Sequence, residues 1–86
     1  MSTATAVDPE LLSILRCPET LQGLRLAEGG QLDQLLQSAR QGRLRNLQGQ
    51  PLPADFENVL VREDGKRGYL VRDGIPIMLI EEAVAL

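Results

Sequence analysis

Apolar and polar residues follow two different periods along this chain, and the change from one to the other divides it. Near the start, Leu11, Leu12, Ile14 and Leu15 form an apolar face over about two helical turns. Asp8-Pro9-Glu10 just before them is a helix start: Asp8 accepts from orphan amides, Pro9 brings a preset φ, and Glu10 favours the positive end. Pro18 biases Cys17 away from helical geometry, so this helix should stop near Arg16. Leu24-Arg25-Leu26 alternates as a short strand, and Gly29-Gly30 then breaks the chain. Over residues 31–41, Leu32, Leu35, Leu36 and Ala39 fall at helical spacing, with Gly42 as the cap.

Beyond this helix the period shortens. Gly49, Pro51 and Pro53 mark residues 46–53 as an irregular loop. Val59-Leu60-Val61 lies in a strand over 57–62, and Tyr69 to Arg72 returns after a turn at Asp64-Gly65, which predicts a hairpin. Asp73-Gly74 makes a second sharp turn, because Gly takes a positive φ freely and Asp can bond nearby amides. A third, strongly apolar strand is expected over 75–80, and 81–86 as a brief final helix or tail. Pro76 lacks a backbone donor, which places that strand at a sheet edge. An apolar edge is a liability unless something covers it. The expected fold is a small α+β domain over 8–86, an antiparallel sheet of three to four strands with two helices, after a disordered tail at 1–7.

Composition narrows the chemistry. With one cysteine, Cys17, and no histidine in 86 residues, neither an intramolecular disulfide nor a site of Cys and His ligands alone can form. A lone thiol, no basic leader and no long apolar run together fit a cytoplasmic protein. The net charge of −3 disfavours direct nucleic-acid binding. Arg40, Arg43 and Arg45 read as the solvated end of a helix, and Phe56 and Tyr69 are too few and scattered for a base-stacking platform.

Two blocks carry a family resemblance. Asp8 to Pro18 reads D-P-E-L-L-S-I-L-R-C-P, and Tyr69 to Leu79 reads Y-L-V-R-D-G-I-P-I-M-L, followed by Glu81-Glu82. Together they resemble the YcaR-like family, which is related to the zinc-binding activator subunits of tRNA and protein methyltransferases. The resemblance implies a zinc-ribbon-like core, with residues 31–53 similar to a helical insertion of the longer members. Zinc-binding members carry two thiolate pairs, but here the four positions are Cys17, Thr20, Arg62 and Gly65, so the core is degenerate and no zinc or other cofactor is expected.

No enzyme is read from these residues. Cys17 has no histidine to serve as its base, and the carboxylates are spread over turns and the C-terminal end rather than paired across a pocket. The segment from 75 to 80 is more apolar than one strand face requires. By the resemblance it would pair with the sheet edge of an S-adenosylmethionine-dependent methyltransferase, a strand addition through Ile75, Pro76, Ile77, Met78 and Leu79 with Leu11 and Leu12 as neighbours. Asp73 and Gly74 would set the turn that aims the strand. The rival readings are a homodimer through the same edge and, ranked last, an RNA-associated accessory protein touching phosphate through Arg40, Arg43 and Arg45.

Overall fold

The computed structural model describes residues 9–86, apart from the side chains of Pro9, Leu11 and Ser13. The expected tail at 1–7 and the Asp8 cap lie outside the described residues, as does the Leu11 side chain. The chain opens with helix α1 (Pro9–Ile14) and then strand β1 (Leu24–Leu26). Helix α2 (Gly29–Arg40), strands β2 (Asn58–Arg62), β3 (Arg67–Arg72) and β4 (Ile75–Pro76), a 3-10 turn (Ile80–Glu82) and strand β5 (Val84–Ala85) complete it. All pairings are antiparallel, in the order β1-β2-β3-β4, with β5 also on β3.

Local chemistry explains the first of these elements. Gly29 and Gly30 do not end a segment; they form the first turn of α2, where a missing side chain costs less than mid-helix. The helix stops where expected. Gly42 sits at φ 72, its N–H donates to Ala39 O at 3.1 Å and Arg43 N–H to Ser38 O at 2.8 Å, a pair of bonds that satisfies the last carbonyls. Gly65, at φ 73, closes the β2–β3 hairpin by donating to Arg62 O at 2.7 Å.

The alternation on β2 and β3 is buried on both sides. Val59, Val61 and Leu70 face one apolar cluster with Phe56, Leu52 and Val84, against which Leu32, Leu35 and Leu36 of α2 pack. Leu60, Tyr69 and Val71 face the other, with Cys17 and Ala83, and Leu12, Leu15, Leu24, Leu26 and Met78 close it. Each fully buried aliphatic side chain contributes about 1.5–3 kcal/mol by leaving water.

Several expectations are corrected here. The sheet has five strands rather than three or four, and among the described residues only α2 exceeds about two helical turns. The coarse class, small α+β, is what the structure shows, and its core is a pair of apolar clusters. Helix α1 ends at Ile14, short of Arg16, with Leu15 N–H bonded to Leu12 O. The third strand does not run over 75–80: it pairs with β3 only at Ile75–Pro76 and one further bond, Ile77 N–H to Leu70 O at 2.9 Å. The C-terminal end is neither helix nor loose tail, because Val84 and Ala85 rejoin β3 opposite Gly68 and Arg67.

That return needs Gly68. A Cβ there would lie 2.9 Å from Val59 Cγ1, 3.2 Å from Val84 Cγ2 and 3.3 Å from Leu86 Cδ1. Gly68→Ala is therefore expected to cost about 1–3 kcal/mol by overpacking. Amide exchange should show the loss first at Leu86 N–H, which donates to Lys66 O at the β5 end. Unchanged stability and protection would mean that β5 is not seated on Gly68.

Candidate functional site

The turn at Asp73-Gly74 is the best-fixed part of the predicted docking segment. Both residues have positive φ, 53 and 75, the twist that suits a two-residue hairpin. Glu57, on the segment leading into β2, holds the turn: its carboxylate accepts from Asp73 N–H at 2.9 Å and also from Gly74 N–H. Arg72 beside it donates to Asp55 at 2.8 Å. Sequence reasoning missed Glu57, and its distance from the turn in the chain explains why.

From this turn the chain forms an edge that resists strand pairing. Ile75 pairs with Arg72 and Ile77 bonds Leu70, so Pro76 between them faces away from β3, where its missing N–H leaves a gap in the outer edge. Residues 78–83 then loop out opposite Tyr69 before Val84 re-enters the sheet. The segment paired with β3 is two residues long and includes a proline, so a strand added along 75–79 would meet no donor at Pro76. Side chains remain available. Ile75 is 62% exposed and Leu79 58% exposed, and Ile80 is exposed as well. Pro76, Ile77 and Met78 are half-buried, and Met78 joins Leu12 in packing against the Tyr69 cluster. The predicted surface thus splits: Ile75 and Leu79 face solvent, while Leu12 and Met78 hold the arm down.

A second constellation lies on the Tyr69 face. The turn after α1 folds back through Cys17 N–H to Gln22 O and Leu21 N–H to Cys17 O, at 2.8 and 2.7 Å. This brings Cys17, fully buried, against the β2–β3 hairpin. Tyr69 Oη lies 2.9 Å from Cys17 Sγ. Arg62, only 5% exposed, reaches into the same space. Its guanidinium donates to both Asp64 oxygens at 2.9 and 2.7 Å, to Glu19 at 2.8 Å and, more weakly, to Cys17 Sγ at 3.7 Å.

The electrostatics follow from this packing. Burial pushes the Cys17 thiol up, but bonds from Tyr69, Arg62 and Thr20 to the sulfur outweigh it and bring it down to about 7. Burial and the same sulfur push Tyr69 well above its ordinary value. The Arg62 guanidinium holds Asp64 down to about 2.

Of the four positions that correspond to zinc ligands in the resembling family, Arg62 and Thr20 both bond the Cys17 sulfur, and Gly65 closes the turn after Arg62. They do not fit a metal: Cys17 offers a thiol, Thr20 a hydroxyl, Arg62 a cation and Gly65 no side chain. The positive charge between the turns is the Arg62 guanidinium, held by two carboxylates and a sulfur. Reading Arg62 only as a lost ligand missed this role. Its signal was Asp64 two residues on, together with a strand position that alternates with Val61 toward the Cys17 side.

The other candidates stay apart. Arg40, Arg43 and Arg45 are all exposed, and Arg45 donates to Gly49 O at 3.1 Å. Leu47 N–H donates to Ala83 O at 2.9 Å, so the segment after α2 touches the arm beside β5 rather than at Ile75. Among the described residues no helix is long and apolar enough to cross a membrane.

Comparison with known proteins gives a consistent group of relatives. The chain is similar to a UPF0434 protein of Sinorhizobium fredii, 35% identical over 83 residues that cover 95% of this chain and 89% of the relative. A UPF0434 protein of Sinorhizobium medicae is 37% identical over 81 residues, covering 93% and 86%. One from Bradyrhizobium diazoefficiens is 37% identical over 82 residues, covering 92% and 80%. Among solved structures, the solution NMR structure of a Xylella fastidiosa protein superposes with a TM-score of 0.71 at 32% identity, over 92% of this chain and 81% of that one. No protein-family model matches the chain.

Proposed function

The chain belongs to the UPF0434 family, the small YcaR-like proteins, and we propose that it acts as a non-enzymatic protein-interaction module. The observation that carries this reading is the C-terminal arm. It is anchored at both ends on β3, yet it turns Ile75, Leu79 and Ile80 toward solvent on one short segment. Large aliphatic side chains held outward on a fixed support suit docking. The titratable cluster supports binding over catalysis, because Cys17 is buried and its neighbours bond one another.

The partner proposed is an S-adenosylmethionine-dependent methyltransferase, stabilised or activated by docking in the cytoplasm, by the resemblance of the two sequence blocks to the activator subunits. Docking would use side chains rather than strand addition, with Asp73 and Gly74 fixing the direction of the arm. The same exposed residues favour a second reading, a homodimer through the arm.

The test is capture from native cytosol with Ile75→Asp plus Leu79→Asp, two exposed positions whose change leaves the core intact. Mass spectrometry should identify a methyltransferase with the wild type and lose it with the double variant. Retention of the same protein by the variant would remove the arm as the docking surface. If sedimentation shows a wild-type dimer that the variant dissolves, the second reading replaces the first.

A further inference from the structure

The exposed aliphatic residues of the C-terminal arm lie between two groups of carboxylates. At its start, the Asp73-Gly74 turn carries Asp73, which is exposed, and is held by Glu57. Asp55 is exposed beside it, bonded to Arg72. At its far end, Ile80 opens a 3-10 turn that runs directly into Glu81 and Glu82. The order along the arm is therefore acidic, aliphatic, acidic, with Ile75, Leu79 and Ile80 in the middle.

The chain supplies little to offset this charge. Arg72 is already bonded to Asp55, and no lysine or arginine follows it in the sequence. Lys66 and Arg67 sit at the other end of β3, beside β5. Leu47 N–H reaches Ala83 O, but Arg45 two residues earlier donates to Gly49 O within its own loop. Among the described residues, Asp73, Glu81 and Glu82 form no ion pair.

Covering the aliphatic residues would bring these carboxylates to the rim of the contact, where the sign of the opposing charge selects the partner. Two arms packed face to face would set acidic rim against acidic rim. An anionic lipid surface or a nucleic acid would be repelled in the same way. What fits is a protein surface that is aliphatic in the middle and basic on both sides. A helix can present one with its main chain already bonded, whereas a strand added here would meet the missing donor of Pro76.

We propose that the arm docks against a cationic amphipathic helix of a partner protein, an aliphatic stripe flanked by lysine or arginine. This rests on the reading of the arm as a docking surface and adds the charge and form of what it meets. Ile75, Leu79 and Ile80 would cover the stripe, and Asp73 and Glu81 would face the flanking cations. The aliphatic contact supplies most of the affinity, while the rim sets partner choice and salt dependence.

The experiment titrates the full, isotope-labelled chain by NMR with three synthetic helical peptides of about 18 residues, or five turns. They share one leucine stripe and differ in the polar face, which is lysine, glutamine or glutamate. The lysine peptide should bind tightest, shift Ile75, Leu79 and Ile80, and weaken as salt is raised. Asp73→Asn plus Glu81→Gln should weaken it about fivefold, the value of two exposed ion pairs, and leave the glutamine peptide unaffected. Asparagine accepts the positive φ of position 73, so the turn is kept. Ile75→Ser plus Leu79→Ser should abolish binding of all three peptides.

Equal binding of the lysine and glutamine peptides, or indifference to the charge variant, would overturn the proposal and leave the arm standing as a docking surface. Lysine-peptide binding that survives the serine variant would overturn it as well, because charge alone would then suffice. Shifts away from the arm, or no binding by any peptide, would remove both the proposal and the docking reading of the arm. Sedimentation adds a separate check: a dimer through the arm that tightens at low salt would mean that the rim does not repel its own copy, and would also overturn it.

Discussion

Tyr69→Ala is expected to remove about 3–5 kcal/mol, the usual cost of emptying a buried aromatic site. For a domain whose whole stability is on the order of 5–15 kcal/mol, that is a large share of the total. The size follows from position. Tyr69 is fully buried at the centre of one face of the sheet, opposite the looped-out residues 78–83, and its hydroxyl contacts Cys17. Tyr69→Phe separates the ring from the hydroxyl. It should cost only about 1 kcal/mol, the net value of a hydrogen bond. It should also raise the Cys17 thiol from about 7, since the bond that favours the thiolate is gone. Urea denaturation of both variants, with ultraviolet titration of the thiolate, checks the pair. Equal losses for Phe and Ala would mean that the hydroxyl, not the ring, carries the effect.

The second large effect is a rise of stability with pH. Cys17 ionises at about 7 in the folded protein against 9.0 for an ordinary thiol. Between those values the unfolded chain keeps a proton that the folded protein has released, so unfolding becomes harder as pH rises. The contribution is complete above pH 9.0 and is lost as pH falls through about 7. Two pH units correspond to at most about 2–3 kcal/mol. Tyr69 reverses the trend: its folded value is raised above 10.0, so its contribution is present below that pH and fades above it. Asp64 works at the acid end, where its contribution is lost as pH falls from 3.8 through about 2. Stability should therefore climb from neutral pH to a maximum between 9.0 and 10.0. Denaturant midpoints measured across this range test it, with Cys17→Ser expected to flatten the climb. A climb that survives in the serine variant would assign it to another group.

The docking segment shows how the two levels of information divide. Its composition marked 75–80 as unusually apolar, and Pro76 marked an edge. Both features are present, but their consequence changes in three dimensions. The proline faces outward and the chain loops away after Ile77, so exposure falls on Ile75 and Leu79 while Ile77 and Met78 are partly covered. No local signal distinguishes these residues, since all are large and aliphatic. What separates them is the shift in pairing across β3, from Val71 with Pro76 to Gly68 with Val84.

By itself, the sequence determined the elements whose causes are local. Helix α2 and its stop at Gly42, the β2–β3 hairpin and the Asp73-Gly74 turn depend on φ preferences, hydrophobic period and bonds between residues a few positions apart. Only the tertiary structure decided that 84–85 would form a fifth strand, that Glu57 would hold a turn 16 residues away, and that Arg62 would be the cation between two turns. Arg62 meets Glu19 across 43 residues, and Cys17 meets Tyr69 across 52. Such contacts become favourable only after the chain entropy of closing long loops has been overcome by the packing of both sheet faces. Their pairing is fixed by that shared packing, and no single stretch of the chain encodes it.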